Sequence, residues 1–270
     1  MAELISSAAN PLVKRVRALA DRRHRRRDGA FFVEGIQPVW QAVTAGAEIE
    51  TLIVAPDLLA GSPAAGMVAE QEARGTRVAR LDRELFGRLS DRDGPSGLAA
   101  IVHGRLAALV DLPLRPDSVL VVLHRIGNPG NLGTIIRTAD ATGSAGVVLL
   151  GDTADPFAPA AVKASMGAIF AVPVARVRDP GELLAWTAAR GLCVVTTSAH
   201  ADAEHWTISY RPPLALLLGS EGAGLPPELL ARGDLQVRIP MVGTAHSLNL
   251  AVAAGVLLYE VRRAALRPGA

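Results

Sequence analysis

Past residue 118 the apolar positions gather into short unbroken runs separated by stretches of helical pattern. The runs at 119–123, 147–150, 169–174, 192–195, 214–218 and 237–239 lack the strict alternation of a half-exposed strand. Strands covered on both faces read this way, because no position along them meets water. The stretches 132–142, 159–166 and 181–190 suit crossover helices between them. The pattern predicts an α/β domain with a doubly wound parallel sheet over residues 118–270.

The first hundred residues are patterned differently. Asn10-Pro11 opens a helix that runs through Val16 and Leu19 into a string of arginines, with proline at the first helical position. Strands are expected at 31–33, 51–54, around Val78 and at 97–102, and helices at 39–45, 67–74 and 81–89. This is a small mixed α/β domain over residues 1–106. Pro113 and Pro116 then break the pattern twice, which places a linker at 107–117.

Composition narrows the choices. Half the residues are hydrophobic and one fifth charged, as in a globular chain. Only 4% are aromatic, against a protein that holds nucleic acid chiefly by stacking bases. No apolar run approaches the roughly 20 residues of a membrane span, and residues 1–10 carry no signal core, so a cytoplasmic location with no membrane partner is expected. Cys193, the single cysteine, lies in an apolar run and reads as a core residue, which excludes an internal disulfide and a cysteine-built zinc site. The histidines lack the spacing of a helical metal pair, so no metal is expected. His246 is kept in view because it adjoins Ser247.

The net charge is only +2, but its distribution is uneven. Lys14, Arg15, Arg17, Arg22, Arg23, His24, Arg25, Arg26 and Arg27 crowd one segment against Asp21 and Asp28 alone. Such a run is either a solvated face or a phosphate-binding one. Lys14, Arg15, Arg22, Arg23, Arg25 and Arg26 are the candidates for contact with nucleic-acid phosphate.

Ligands of open α/β sheets bind beyond the carboxyl ends of the strands, and three such ends carry unusual sequence. The first is Gly127-Asn128-Pro129-Gly130-Asn131-Leu132-Gly133, followed by a helix bearing Arg137. The second is Gly219-Ser220-Glu221-Gly222-Ala223-Gly224-Leu225-Pro226, and the third runs from Pro240-Met241-Val242-Gly243 to Ser247-Leu248-Asn249. Each alone is weak. The glycines of the first suit a tight strand-to-helix turn equally well, and Ser247 suits a helix N-cap. The dinucleotide fingerprint, the Lys-Ser/Thr pair of a P-loop and the Gly-x-Ser-x-Gly elbow are all missing, which argues against dinucleotide binding, nucleotide hydrolysis and serine-hydrolase chemistry.

Together the three loops resemble the signature motifs of the SpoU/TrmH family within the SPOUT methyltransferases. Asn128 to Ala139 is similar to the first motif, Leu217 to Leu225 to the second and Ile239 to Ala253 to the third, in the same order. Asn10-Pro11-Leu12-Val13-Lys14 and Phe31-Phe32-Val33-Glu34-Gly35 resemble the family's L30e-like substrate-binding domain. The resemblance implies a trefoil-knotted α/β domain that binds S-adenosylmethionine and methylates a ribose 2′-hydroxyl of RNA. Ribosomal RNA is favoured over transfer RNA, whose enzymes often lack such an N-terminal domain. Carried over by motif, Gly219, Ile239 and Leu248 line the cofactor pocket with Met241 and Ser247 beside them. Arg137 becomes the catalytic residue, either as base or as stabiliser of the forming alkoxide, with Asn131 on the same segment. Glu221, Ser247 and Asn249 orient Arg137 or the substrate. The family's homodimers pack knot against knot, which makes the C-terminal helix over 248–259 a candidate interface. The competing reading is an RNA-binding protein whose knotted domain serves only dimerisation, and the intact polar set argues against it.

Overall fold

The computed structural model describes residues 4–90 and 94–265. Its Cα packing divides into two units, Met1–Arg105 with Phe157–Ala171, and Leu106–Pro156 with Val172–Ala270.

In the first unit the chain runs β1 (Leu4–Ile5), α1 (Pro11–Ala18), α2 (Arg22–Asp28), β2 (Ala30–Glu34), α3 (Ile36–Thr44), β3 (Ile49–Val54), α4 (Pro56–Leu59), α5 (Ala64–Ala73), β4 (Val78–Leu81), α6 (Arg83–Gly87) and β5 (Leu98–His103). The strands form a mixed sheet in the order β1-β4-β3-β5-β2, antiparallel where β5 meets β3 and β2. Two departures from the expected pattern have capping causes. The basic helix is broken in two, because Asp21 accepts a hydrogen bond from the Arg23 amide and starts a new helix after the turn at Leu19 and Ala20. Leu81 ends a strand, and the next helix starts only after Asp82, whose carboxylate accepts from the Leu85 amide.

The second unit contains β6 (Val119–His124), α7 (Pro129–Thr142) and β7 (Gly146–Leu150). Helix α8 (Pro159–Ser165) belongs to the first unit, and the chain returns with β8 (Val174–Val177). Then follow α9 (Pro180–Ala189), β9 (Cys193–Thr197), β10 (Ala203–Glu204), β11 (Leu214–Leu218), α10 (Pro227–Leu230), β12 (Leu235–Arg238) and α11 (Leu250–Ala265). All seven strands are parallel, in the order β10-β12-β9-β11-β6-β7-β8. Every residue of β7 and β11 is buried, which is the source of their unbroken apolar runs.

Three expectations are corrected here. The apolar run at 169–174 is not one strand: Ala168–Phe170 is a 3-10 turn, and the strand begins at Val174. The helix expected at 159–166 as a crossover of the parallel sheet exists, but its Val162 joins the apolar core around Phe31, Val39 and Leu52 in the first unit. Phe157 stacks on Phe31 at 4.8 Å between ring centroids, and Phe170 lies 5.9 Å from the same ring. Residues 107–117 are no loose linker, since Leu109 and Leu112 are buried in the core of the second unit and Ala107 bridges to Ala175.

Candidate active site

Strands β9, β11 and β12 end at one edge of the second unit, and their following loops enclose a cavity of about 690 Å³. That size suits a small molecule. Leu218 and Val237 form its strand side, and Leu250, Ala253 and Leu257 of α11 close the apolar part. Six residues singled out in the sequence meet here: Gly219, Glu221, Ile239, Met241, Ser247 and Leu248 all line the cavity.

The loop after β11 is folded back on itself. Ser220 and Gly224 exchange two backbone hydrogen bonds, and Gly224 takes a positive φ of 67°. A Cβ on Gly219 would stand 2.0 Å from the Gly224 carbonyl carbon and 2.2 Å from the Leu225 nitrogen. The glycine is therefore required by the loop's own backbone, in addition to its expected place in the lining of the cavity.

The loop after β12 behaves in the opposite way. From Pro240 to Leu248 no hydrogen bond forms with another described residue, and Met241, Val242 and Leu248 expose apolar surface. Backbone donors and acceptors on this side of the cavity are thus free for a ligand. Arg238, at the end of β12, adds a buried Nε without a partner, while its Nη2 donates to Glu204 at 3.4 Å.

A hydrogen-bonded chain joins the three loops. Asn249 Nδ2 donates to Asn131 Oδ1 at 3.0 Å, and Asn131 Nδ2 donates to Glu221 Oε1 at 3.0 Å. Each end is fixed by local structure. Asn128 caps α7 by accepting from the Gly130 and Asn131 amides, with Pro129 opening the helix. Asn249 Oδ1 accepts from the Ala251 and Val252 amides. Asn249, and not Ser247, is therefore the residue that caps α11. Ser247 is left exposed at the cavity.

Arg137 stands apart. It is exposed on α7, does not line the cavity, and its side chain makes no hydrogen bond or ion pair with another described residue. His124 ends β6, next to the first loop. It is buried with Nδ1 unpaired, and burial followed by the charge of Arg125 holds its imidazole below the ordinary pKa. Thr197, Ser198 and His200 also line the cavity, as does His246. The first three escaped sequence reasoning, because the stretch after β9 carries no glycine cluster. Their only signal was their place at the carboxyl end of a parallel strand.

Of the six basic candidates, two are engaged internally. Arg25 is buried, and its Nη1 donates to the carbonyls of Leu19 at 2.9 Å and Ala20 at 2.7 Å. Arg15 is held by Glu50 and Asp28. Neither is free for RNA. Lys14, Arg22, Arg23 and Arg26 are exposed.

The family model described as the SpoU rRNA Methylase family matches residues 118–259, and an MRM3-like substrate binding domain matches 10–100. The chain belongs to the SpoU rRNA methylase family. A 23S rRNA (uridine(2479)-2'-O)-methyltransferase of Streptomyces viridochromogenes is 35% identical over 91% of this chain and 86% of its own length. A 23S rRNA (guanosine(2553)-2'-O)-methyltransferase of Bacillus subtilis is 30% identical over 96% of this chain and 98% of its own. Among solved structures, an AdoMet-bound rRNA methyltransferase from Sinorhizobium meliloti superposes with a TM-score of 0.89 at 38% identity, covering 98% of this chain and 99% of that one. All three loops of the cavity fall inside the SpoU match, and helices α1 to α6 fall inside the substrate-binding one.

Proposed function

We infer that this chain transfers a methyl group from S-adenosylmethionine to a ribose 2′-hydroxyl of ribosomal RNA. The observation that carries the reading is the Asn249–Asn131–Glu221 chain, which ties the first SpoU loop to the two that line the cavity. The rRNA-methylating relatives match both units, which favours ribosomal over transfer RNA. Among the described residues no helix is long and apolar enough to cross a membrane, and we place the enzyme in the cytoplasm with its RNA.

The lining fits the cofactor. Leu218, Ile239, Leu248 and Leu257 suit an adenine and the methylene groups of the methionine arm, the unpaired backbone from Pro240 to Leu248 suits ring nitrogens and hydroxyls, and the orphaned Arg238 Nε suits a polar end group. When bound, S-adenosylmethionine supplies an electrophilic methyl group. The chain's own residues then have separate tasks. Glu221, held by Asn131, keeps the second loop against the first. Asn249 fixes the start of α11 and with it Ser247 and Leu248 at the cavity. Arg137 holds a substrate phosphate through its guanidinium and stabilises the alkoxide as the hydroxyl loses its proton to solvent.

Arg137 reaches this task in a homodimer. Helix α7 packs on α11, and α11 exposes Val252, Val256 and Tyr259 along one stripe, an apolar face suited to a second copy. The knotted path typical of the family is part of the same proposal. The test is transfer of tritiated methyl groups from S-adenosylmethionine to ribosomal RNA, with ribose methylation mapped in wild-type and deletion strains. Arg137→Ala is expected to abolish transfer and keep most RNA affinity. Absence of both label transfer and S-adenosylhomocysteine binding in the wild type would sink the reading. Sedimentation of Val256→Glu should give monomers.

A further inference from the structure

The basic segment sorts its side chains by direction. At 100° per residue, Arg22, Arg26, Arg23 and Arg27 follow one another across about 140° of the circumference of α2, and all four are exposed. His24, Asp28 and Arg25 take the opposite arc and are buried or half-buried. The inner arc serves the fold: Arg25 binds the end of α1, and Asp28 takes Arg15 and Arg27.

Apart from Arg27, the outer arc has no such use. Arg22, Arg23 and Arg26 make no ion pair with another described residue, and with Asp21 they line an open depression of about 510 Å³. Asp21 is the carboxylate in that depression, and its Oδ1 is already taken by the Arg23 amide at 2.6 Å. Lys14 and Arg17 on α1 are exposed too, so the surroundings bring further positive charge. Three guanidinium groups within one turn repel one another unless an anion sits among them. The face carries no aromatic or apolar surface on which bases could stack. Helix α2 has no aromatic residue, and the exposed large apolar side chains of the first unit are Leu4, Trp40 and Met166, none of them on it.

We infer that the outward side of α2, through Arg22, Arg23 and Arg26, grips the phosphodiester backbone of the RNA by charge and is indifferent to its sequence. This rests on the RNA-methylating function proposed above. The surface is the flank of the helix and not its end, where Asp21 already serves the amides. A guanidinium offers paired donors to two phosphate oxygens, so three of them hold a strand in register while selection of the nucleotide belongs to the cavity of the second unit.

The test uses the full chain, a single-stranded fragment of 23S rRNA, and a strand of the same length with permuted sequence. Affinity is followed by fluorescence anisotropy between 50 and 200 mM salt. Each phosphate contact on a single strand contributes about 0.7 to the slope of log affinity on log salt, so the triple variant R22A/R23A/R26A should lower that slope by about 2. The fourfold rise in salt then costs the variant about fifteenfold less affinity than it costs the wild type. The drop should be equal on both RNAs, with S-adenosylhomocysteine binding and Tm unchanged. R22K/R23K/R26K should restore the slope, because an ammonium displaces counterions as well. An unchanged slope in the alanine variant overturns the proposal, and so does a loss confined to one of the two sequences. The measurement needs no turnover. A wild type that binds with the expected slope yet transfers no methyl group refutes the enzymatic reading and leaves this surface standing.

Discussion

Gly219 and Gly222 sit three positions apart in one loop, and the structure asks different things of them. A Cβ at Gly219 would penetrate the backbone of Gly224 and Leu225, whereas one at Gly222 would meet nothing within 4 Å. Gly219→Ala is expected to cost about 3 kcal/mol or more and to abolish S-adenosylhomocysteine binding in calorimetry. Gly222→Ala should stay within about 0.5 kcal/mol of wild type. Equal behaviour of the two would show that the loop is not closed as described. His124 supplies a pH-dependent counterpart. Its folded pKa lies below the ordinary 6.5, so as pH falls the unfolded chain takes up this proton first. Its contribution to stability is therefore full above about 6.5 and is lost as pH drops through the interval beneath. Urea melts at pH 7.5 and 5.5 should differ less for His124→Phe than for wild type, and an undiminished difference would remove His124 from the account.

Among the elements, α1 and α2 show how one residue type divides between fold and surface. Arg25 reaches the carbonyls of Leu19 and Ala20 and so satisfies the end of α1. Arg25→Ala should destabilise the protein by about 2 kcal/mol, the worth of charge-assisted hydrogen bonds to buried groups. Arg22→Ala should leave the melting temperature unchanged within error. A scan of both by calorimetry decides the matter. The sequence alone made Arg22 and Arg25 equivalent, because a run of like charges hides the helical phase until the cap at Asp21 is placed. Elsewhere legibility followed burial. The runs at 119–123, 147–150 and 214–218 matched β6, β7 and β11 closely, since strands covered on both faces leave no polar position to blur them. The run at 169–174 misled for a related reason: Phe170 is apolar because it packs by Phe31, not because it lies on a strand. Asn131, Glu221 and Asn249 were recognisable as a set only through the three motifs read together. Their mutual hydrogen bonds lie 90 and 118 positions apart and leave no trace in local pattern.

At the scale of the whole molecule, the apolar core of the first unit is completed by a segment from the middle of the chain. Val162 is buried in it, and Phe157 and Phe170 flank Phe31. A fragment of residues 1–105 lacks these partners and leaves Phe31 uncovered. It should melt well below the intact protein and bind a hydrophobic dye at temperatures where the full chain does not. A fragment as stable as the intact chain would reduce the segment to decoration.

That arrangement makes the chain pass between the units at three places, 105/106, 156/157 and 171/172. A single proteolytic nick at the first of them severs residues 1–105 from the rest covalently, yet the packing of Phe31 against Phe157 and Phe170 still holds them. Exchange of genetic material meets the same obstacle. A crossover near residue 105 that brings in the first unit of a relative would set a foreign Phe31 position against the resident Phe157 and Phe170. The halves of this enzyme can therefore be inherited separately only where the residues around that ring change together.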